Sequence, residues 1–161
     1  MKILLTGANG QVGHYLNQKL SPFFKVFAYT HENFDLTNLI EMEKIIDDIK
    51  PDLIINPAAY TYVDQAEKDP ELASIINFKG PEFLALKSKN LNIPLIHFST
   101  DYIFDGLKNT AYIENDQANP KSTYGKSKYD GDVAILKNNP NHIIIRTSWV
   151  YSLKGKNFLT T

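Results

Sequence analysis

Cysteine is absent from this chain of 161 residues, which removes a disulfide framework, thiolate catalysis and any cysteine-ligated zinc. A surplus of either charge is absent as well. Seventeen basic residues meet 18 acidic ones, a formal charge of −1, and no basic cluster could track phosphates. That balance argues against a dedicated nucleic-acid binder. No apolar run approaches the roughly 20 residues of a membrane span. The opening stretch Met1–Gly7 is too short for a signal peptide. The expectation is a cytoplasmic protein with neither a nucleic-acid nor a membrane partner. Arginine is nearly missing, Arg146 being the only one. No repeat, low-complexity tract or linker interrupts the chain, so residues 1–161 are read as one domain large enough for a real core.

What is present alternates. Ile3–Leu5 is a short apolar run that stops at glycine, as a buried parallel strand does. From Gln11 to Leu20, Val12, Leu16 and Leu20 recur every four residues and make one helical face. Val26–Tyr29 is a second strand. Thr37 is placed to cap a helix carrying Leu39, Met42, Ile45, Ile46 and Ile49, which Pro51 closes. Leu53–Ile55 is a third strand. Pro70 opens a long helical stretch that Gly80-Pro81 should kink or restart. Pro94–Phe98 is a fourth strand, Ser122–Lys137 a helix and Ile143–Ile145 a fifth strand. Apolar strands alternating with helices imply an α/β fold, a doubly wound, Rossmann-like parallel sheet covered on both faces.

Gly7-Ala8-Asn9-Gly10-Gln11-Val12-Gly13 joins the first strand to the first helix. A dinucleotide pyrophosphate needs a tight turn, a backbone without an intervening Cβ and a helix N-terminus aimed at its charge. Gly7, Gly10 and Gly13 can supply the turn, the close approach and the helix-to-strand packing. The spacing is GxxGxxG rather than GxGxxG. An acid about 20 residues further on would bind a ribose 2′-hydroxyl and repel a 2′-phosphate. Here the second strand ends at Tyr29-Thr30-His31, where Thr30 is small and polar and His31 could be cationic. NADPH is allowed and NADH stays open. Asp35 could meet the adenine side or cap a helix.

Tyr124-Gly125-Lys126-Ser127-Lys128 carries a YxxxK spacing that puts both side chains on one helical face. Lowering a phenol from its usual ~10 by ~3 units takes about 4 kcal/mol. An ammonium ~5 Å away supplies roughly 3 kcal/mol at an effective dielectric near 20. Spacing alone is cheap, because nine tyrosines and 16 lysines make about one such pair expected by chance. Tyr15 with Lys19 is a second instance. Tyr124 is favoured because it follows the polar exit Ser99-Thr100-Asp101-Tyr102 of the fourth strand, and ligands bind at such carboxyl ends. The Thr100 hydroxyl could hold a carbonyl oxygen while Tyr124 moves its proton. His97 reads as a satisfied core histidine rather than a catalyst. The scattered acids make no metal-ligand cluster, so no metal is expected.

The glycine turn, the STD loop and the YxxxK pair together resemble an extended short-chain dehydrogenase/reductase. Asn56–Asp64, Ser99–Gly106 and Arg146-Thr147-Ser148-Trp149-Val150-Tyr151 narrow the resemblance to the dTDP-4-dehydrorhamnose reductase family. That family reduces the 4-keto group of dTDP-6-deoxy-L-lyxo-4-hexulose with NAD(P)H to give dTDP-L-rhamnose. The resemblance implies Tyr124 as proton donor, Lys128 as its modulator and ribose anchor, and Thr100 as the hydroxyl polarising the ketone. It implies Gly10, Gln11 and Val12 at the pyrophosphate, Asp35 and Leu36 at the adenine, and Ala59, Tyr60 and Thr61 at the nicotinamide half. Thr100, Asp101 and Trp149 would contact the dTDP-linked 4-keto-6-deoxy sugar.

Two positions depart from the family pattern. Thr30 stands where relatives can carry an acid, and Pro57 where they often carry alanine. Family members run on past the segment resembling Lys154–Phe158 into a smaller carboxyl-terminal substrate domain. The expectation is that this domain is absent here, which would expose apolar surface at Phe158 and Leu159. A homodimer is left open for a full-length form. The competing readings are a non-catalytic cofactor-binding module, like the regulatory subunits of methionine adenosyltransferase, and a related sugar-nucleotide epimerase or dehydratase.

Overall fold

The computed structural model describes residues 1–153 together with Gly155, Asn157, Phe158 and Thr160. Lys154, Lys156 and Leu159, on which part of the expectation at the chain's end rested, lie outside the described residues. The order of elements is β1 (Lys2–Leu5), α1 (Gln11–Leu20), β2 (Lys25–Ala28), α2 (Leu39–Ile49) and β3 (Leu53–Asn56). There follow α3 (Val63–Ala66), α4 (Pro70–Ser74), a π-helical turn (Ile75–Lys79), α5 (Gly80–Asn90) and β4 (Leu95–Thr100). A 3₁₀ turn (Asp101–Ile103), α6 (Thr123–Asn138) and β5 (His142–Thr147) complete it. The five strands are parallel in the order β2-β1-β3-β4-β5. That order reverses between β1 and β3, and such a switch point opens a crevice at the carboxyl ends of the strands.

Alternation along the strands sorts the core into two layers. Leu4 and Ile54 face Met42, Ile46, Leu84 and Ile135 of the helices on one side. Ile3, Leu5 and Ile55 pack toward Leu16 and Leu20 of α1 on the other. The period of two in strand side chains is the cause. At the edge of the sheet β5 exposes Ile143 and Ile145.

Three local details differ from expectation. Asn38, not Thr37, caps α2, because Asp35 Oδ1 accepts the Thr37 N–H and ends the preceding turn there, while Asn38 Oδ1 accepts from Glu41 N. The short helix α3 has too few residues to show a period. The interruption at Gly80-Pro81 takes the form of the π turn. Proline has no N–H to give a helix ladder, and the Gly80 N–H reaches back five residues to the Ile75 carbonyl. No helix among the described residues is long and apolar enough to cross a membrane.

Candidate active site

A cleft of about 850 Å³ opens over the β1/β3 switch point. At one end is the glycine turn. Gly7 has φ +54°, and a Cβ there would stand 2.9 Å from Ala58 Cα, so both its own backbone and the loop after β3 require glycine. A Cβ on Gly13 would fall 2.1 Å from the Gly7 carbonyl oxygen. The turn is closed by Gly10 N–H to Gly7 O at 3.0 Å and held to β2 by Ala8 N–H to Tyr29 O at 2.8 Å. Helix α1 then begins with no acidic residue in its first turn. Its N-terminus is a partial positive charge facing the cleft beside Gln11 and Val12.

The middle of the cleft is the loop after β3, where Ala59, Tyr60 and Thr61 line the wall. Its position comes from a residue that sequence reasoning missed. Asn77, fully buried in the π turn, accepts from Tyr60 N at 2.9 Å and donates to Tyr60 O at 3.0 Å. It also donates to Ser127 Oγ at 3.0 Å, and Ser127 Oγ donates to the Tyr124 carbonyl at 2.8 Å. One amide thus fixes the loop against α6. The only sequence signal was the Gly80-Pro81 break that forces the π geometry.

At the other end Ser122 caps α6 through Gly125 N, and the helix presents Tyr124, Lys128 and Asp132 four residues apart. The Tyr124 phenol stands beside Thr100 and packs edge-on against Tyr102 with ring centres 5.5 Å apart. The Thr100 hydroxyl also donates to Asp101 Oδ1 and accepts from Tyr102 N, each at 3.2 Å. Asp101 in turn accepts from Ser148 Oγ at 2.7 Å. Trp149 stands over the rim at φ +52°, a backbone region uncommon for so bulky a residue, and it is 77% exposed, its ring edge-on to Phe158.

The electrostatics correct one expectation. Lys128 is fully buried, and its Nζ sits 2.6 Å from the Phe98 carbonyl and 3.1 Å from His97 Nε2. Burial pushes the Tyr124 phenol above its ordinary value; the Thr100 hydroxyl opposes this, while Asp101, Tyr102 and Asp132 add to it. The phenol is therefore held protonated rather than drawn down. Burial brings Lys128 down to about 8, with Asp132 resisting. Burial also raises Asp132, opposed by its hydrogen bond from Ser99 and by Lys128 and Arg146. The single arginine is tied to this acid, with Nε 3.7 Å from Asp132 Oδ2.

The structure brings the expected residues together with one exception. Gly7, Gly10, Gln11, Val12, Gly13, Asp35, Leu36, Ala59, Tyr60, Thr61, Thr100, Asp101, Tyr124, Lys128 and Trp149 all line the cleft. Thr30 does not; its backbone N–H is turned onto Asn33 Oδ1 at 2.8 Å, and His31 lines the cleft in its place. His97 is fully buried with both ring nitrogens in contact with polar partners, as a satisfied core histidine. Among the described residues no group of histidines and acids could hold a metal ion.

Known proteins resemble this chain in sequence and fold. The chain is 43% identical over 159 residues to a dTDP-4-dehydrorhamnose reductase of Sinorhizobium fredii, covering 99% of this chain and 54% of that protein. It is 42% identical over 161 residues to the Burkholderia thailandensis protein of the same name, covering 100% and 54%. The chain therefore spans about half the length of the curated relatives it matches. A solved dTDP-4-dehydrorhamnose reductase of Clostridium acetobutylicum superposes with a TM-score of 0.95 at 38% identity, over 99% of this chain and 57% of that one. The Bacillus anthracis enzyme, solved in complex with NADP, gives 0.95 at 37% identity with the same coverage. The family described as RmlD substrate binding domain matches residues 1–161. With the switch-point cleft, the glycine turn and the Thr100–Tyr124–Lys128 group all inside that match, the chain belongs to the RmlD substrate binding domain family.

Proposed function

We propose that residues 1–161 form the dinucleotide-binding domain of an NADPH-dependent reductase and carry its catalytic residues. The reaction is reduction of the 4-keto group of dTDP-4-dehydro-L-rhamnose to dTDP-L-rhamnose, in the cytoplasm. The observation that carries the reading is that one cleft joins a phosphate-binding helix start to a buried Thr–Tyr–Lys group.

The cleft fits the cofactor on its own chemistry. Its glycine backbone and acid-free helix start suit a pyrophosphate. At the tip of β2 the lining residue is His31, which suits a 2′-phosphate better than a carboxylate would. Gly10, Gln11 and Val12 would hold the pyrophosphate, Asp35 and Leu36 the adenine, and Ala59, Tyr60 and Thr61 the nicotinamide half. When bound, the nicotinamide supplies the hydride that the ketone carbon accepts. Thr100 hydrogen-bonds the ketone oxygen, and Tyr124 gives that oxygen its proton, so hydride and proton together make the alcohol. A donor must start protonated, and the buried phenol does. Lys128 anchors the ribose and balances the charge left on Tyr124, while Asp101 and Trp149 meet the sugar nucleotide.

Fluorescence titration of NADPH into this chain tests the first half, with saturable binding expected. Absence of binding would end the reading. Oxidation of NADPH on adding the dTDP-4-keto sugar, by protein containing these 161 residues, tests the second. Tight cofactor binding that never couples to ketone reduction would favour the non-catalytic module instead.

A further inference from the structure

Beneath the cleft floor runs a line of buried polar side chains that the reaction above leaves largely unused. Thr6, directly before the glycine turn, donates from Oγ1 to Asn56 Oδ1 at 2.6 Å. Asn56 Nδ2 meets His97 Nδ1 at 3.0 Å, and His97 Nε2 meets Lys128 Nζ at 3.1 Å. Thr6, Asn56, His97 and Lys128 are each at most 1% exposed. The line crosses β1, β3 and β4 and ends on α6. Thr6 Oγ1 also accepts from Ala58 N at 3.4 Å, at the root of the loop that carries Ala59 and Tyr60.

Each contact holds a single hydrogen, and this restricts the states. Burial, with Lys128 adding to it, pushes His97 well below its ordinary value, so the imidazole is neutral. A neutral imidazole has one donor nitrogen and one acceptor. An ammonium only donates, so a charged Lys128 needs Nε2 as acceptor, which puts the proton on Nδ1. Asn56 must then turn its oxygen to Nδ1 and give its NH₂ to the Thr6 hydroxyl oxygen. A neutral Lys128 amine can accept as well as donate, which admits the reversed line: Thr6 to Asn56 Oδ1, Asn56 Nδ2 to Nδ1, and Nε2–H to Nζ. The structure holds Asn56 in this second orientation. The two ends of an amide are near-isosteric, so both orientations fill the same space.

We propose that Lys128 protonation, the His97 tautomer and the Asn56 orientation change together, making His97 and Asn56 positioning residues that tie the lysine's charge to Thr6 beside the glycine turn. The proposal rests on the reading of Lys128 as the cofactor-anchoring lysine. Between the states Lys128 loses one proton to solvent, His97 keeps one proton and moves it from Nδ1 to Nε2, and nothing is oxidised. The titratable and charged groups around Lys128 are Tyr124 and Asp132 on α6 and His97 on β4. Arg146 on β5 acts through Asp132, and Asp101 and Tyr102 of the 3₁₀ turn act through Tyr124. With Lys128 drawn down to about 8, both states are reachable without unfolding the chain.

Long-range ¹H–¹⁵N correlation on the histidine-labelled chain, followed from about pH 6.5 to about pH 9.5, tests the coupling. At the acid end Nδ1 should carry the proton and Nε2 none. At the alkaline end the assignment should be reversed, with the midpoint of the lysine's own ¹³Cε titration. A His97 tautomer that stays fixed while Lys128 titrates overturns the proposal, as does an imidazolium at the acid end. In Asn56→Asp the carboxylate only accepts, which locks Nδ1–H and should raise the Lys128 midpoint by at least about one pH unit. An unchanged midpoint in that variant also overturns it, and if the variant does not fold the unsubstituted chain decides alone. Neither measurement uses NADPH, so a failed cofactor titration and a fixed tautomer refute different statements.

Discussion

The two ends of the cleft are built from different materials. The glycine end is backbone, seven consecutive residues from Gly7 to Gly13 whose shape is set by the positive φ of Gly7 and by missing Cβ atoms. The other end is side chain, assembled from the segment after β1, from β3, β4, the π turn and α6, with Thr6, Asn56, Asn77, His97, Thr100 and Lys128 all buried. A site made of backbone is indifferent to protonation but intolerant of volume. A site made of buried polar side chains tolerates small changes of shape and responds steeply to charge, because each proton there must have a partner. Substitutions at the two ends should therefore fail in different ways.

On the proposed reaction, the largest effect belongs to Tyr124→Phe, which would remove the transferable proton and little volume. Turnover of the keto sugar should fall roughly 10²–10⁴-fold. NADPH affinity should hold, since the backbone end is untouched. Tyr15→Phe, on α1 and outside the cleft, should leave turnover unchanged although Tyr15 shares the YxxxK spacing. Equal losses in both variants would dissolve the distinction between the two tyrosines.

Next comes the pH response of the buried lysine. Lys128 falls from the ordinary lysine value of 10.5 to about 8 in the fold. Between those values the unfolded chain binds the extra proton, so stability should rise as pH climbs through the window, by up to about 3 kcal/mol. Tyr124 works the other way only above its ordinary value near 10. Urea denaturation at about pH 7.5 and about pH 9.5 checks this, and Lys128→Met should flatten the rise. A slope that survives Lys128→Met would assign it to another group.

At the backbone end, Gly13→Ala forces a methyl to within 2.1 Å of the Gly7 carbonyl unless the turn moves. Overpacking of that kind costs about 1–3 kcal/mol, so NADPH and NADH should both weaken by roughly tenfold or more. The Lys128 titration should stay where it is. A changed lysine midpoint in Gly13→Ala would mean that the ends are coupled more strongly than one hydrogen-bonded line allows.

The same difference decides what was legible in the sequence. The glycine turn is contiguous, and its steric demands are local, so Gly7, Gly10 and Gly13 could be read directly. The strand pattern was legible because burial on both faces leaves near-continuous apolar runs. Tyr124 was picked out by its place after β4 rather than by spacing. Most supporting residues were hidden for a physical reason: Thr6, Asn56 and Asn77 look like ordinary polar positions until the fold brings them together, whereas His97 was legible as a core histidine but not its partners. Asn77 works only through a π turn, a geometry that no helical period announces. Asn38 and Thr37 are both competent caps, and Asp35 decides between them by taking the Thr37 N–H.

The smallest expected effect concerns the β2 tip. Counting about 20 residues from the glycines selects Thr30, but the chain turns there: Thr30 N–H bonds Asn33 Oδ1, and His31 is the residue left facing the cleft. A carboxylate acts on a 2′-phosphate only if it faces the same space. Thr30→Asp should therefore change the NADPH-to-NADH affinity ratio by less than about twofold. His31→Asp both removes a potential cation and introduces repulsion of roughly 1 kcal/mol at a wet rim, about fivefold in affinity. It should shift the ratio toward NADH by at least that factor, with NADH affinity itself nearly unchanged. Parallel fluorescence titrations of the two variants measure both ratios. A larger shift from Thr30→Asp than from His31→Asp would show that the adenosine end of the cofactor approaches β2 from the Thr30 side and that the cleft wall beside His31 does not read the ribose.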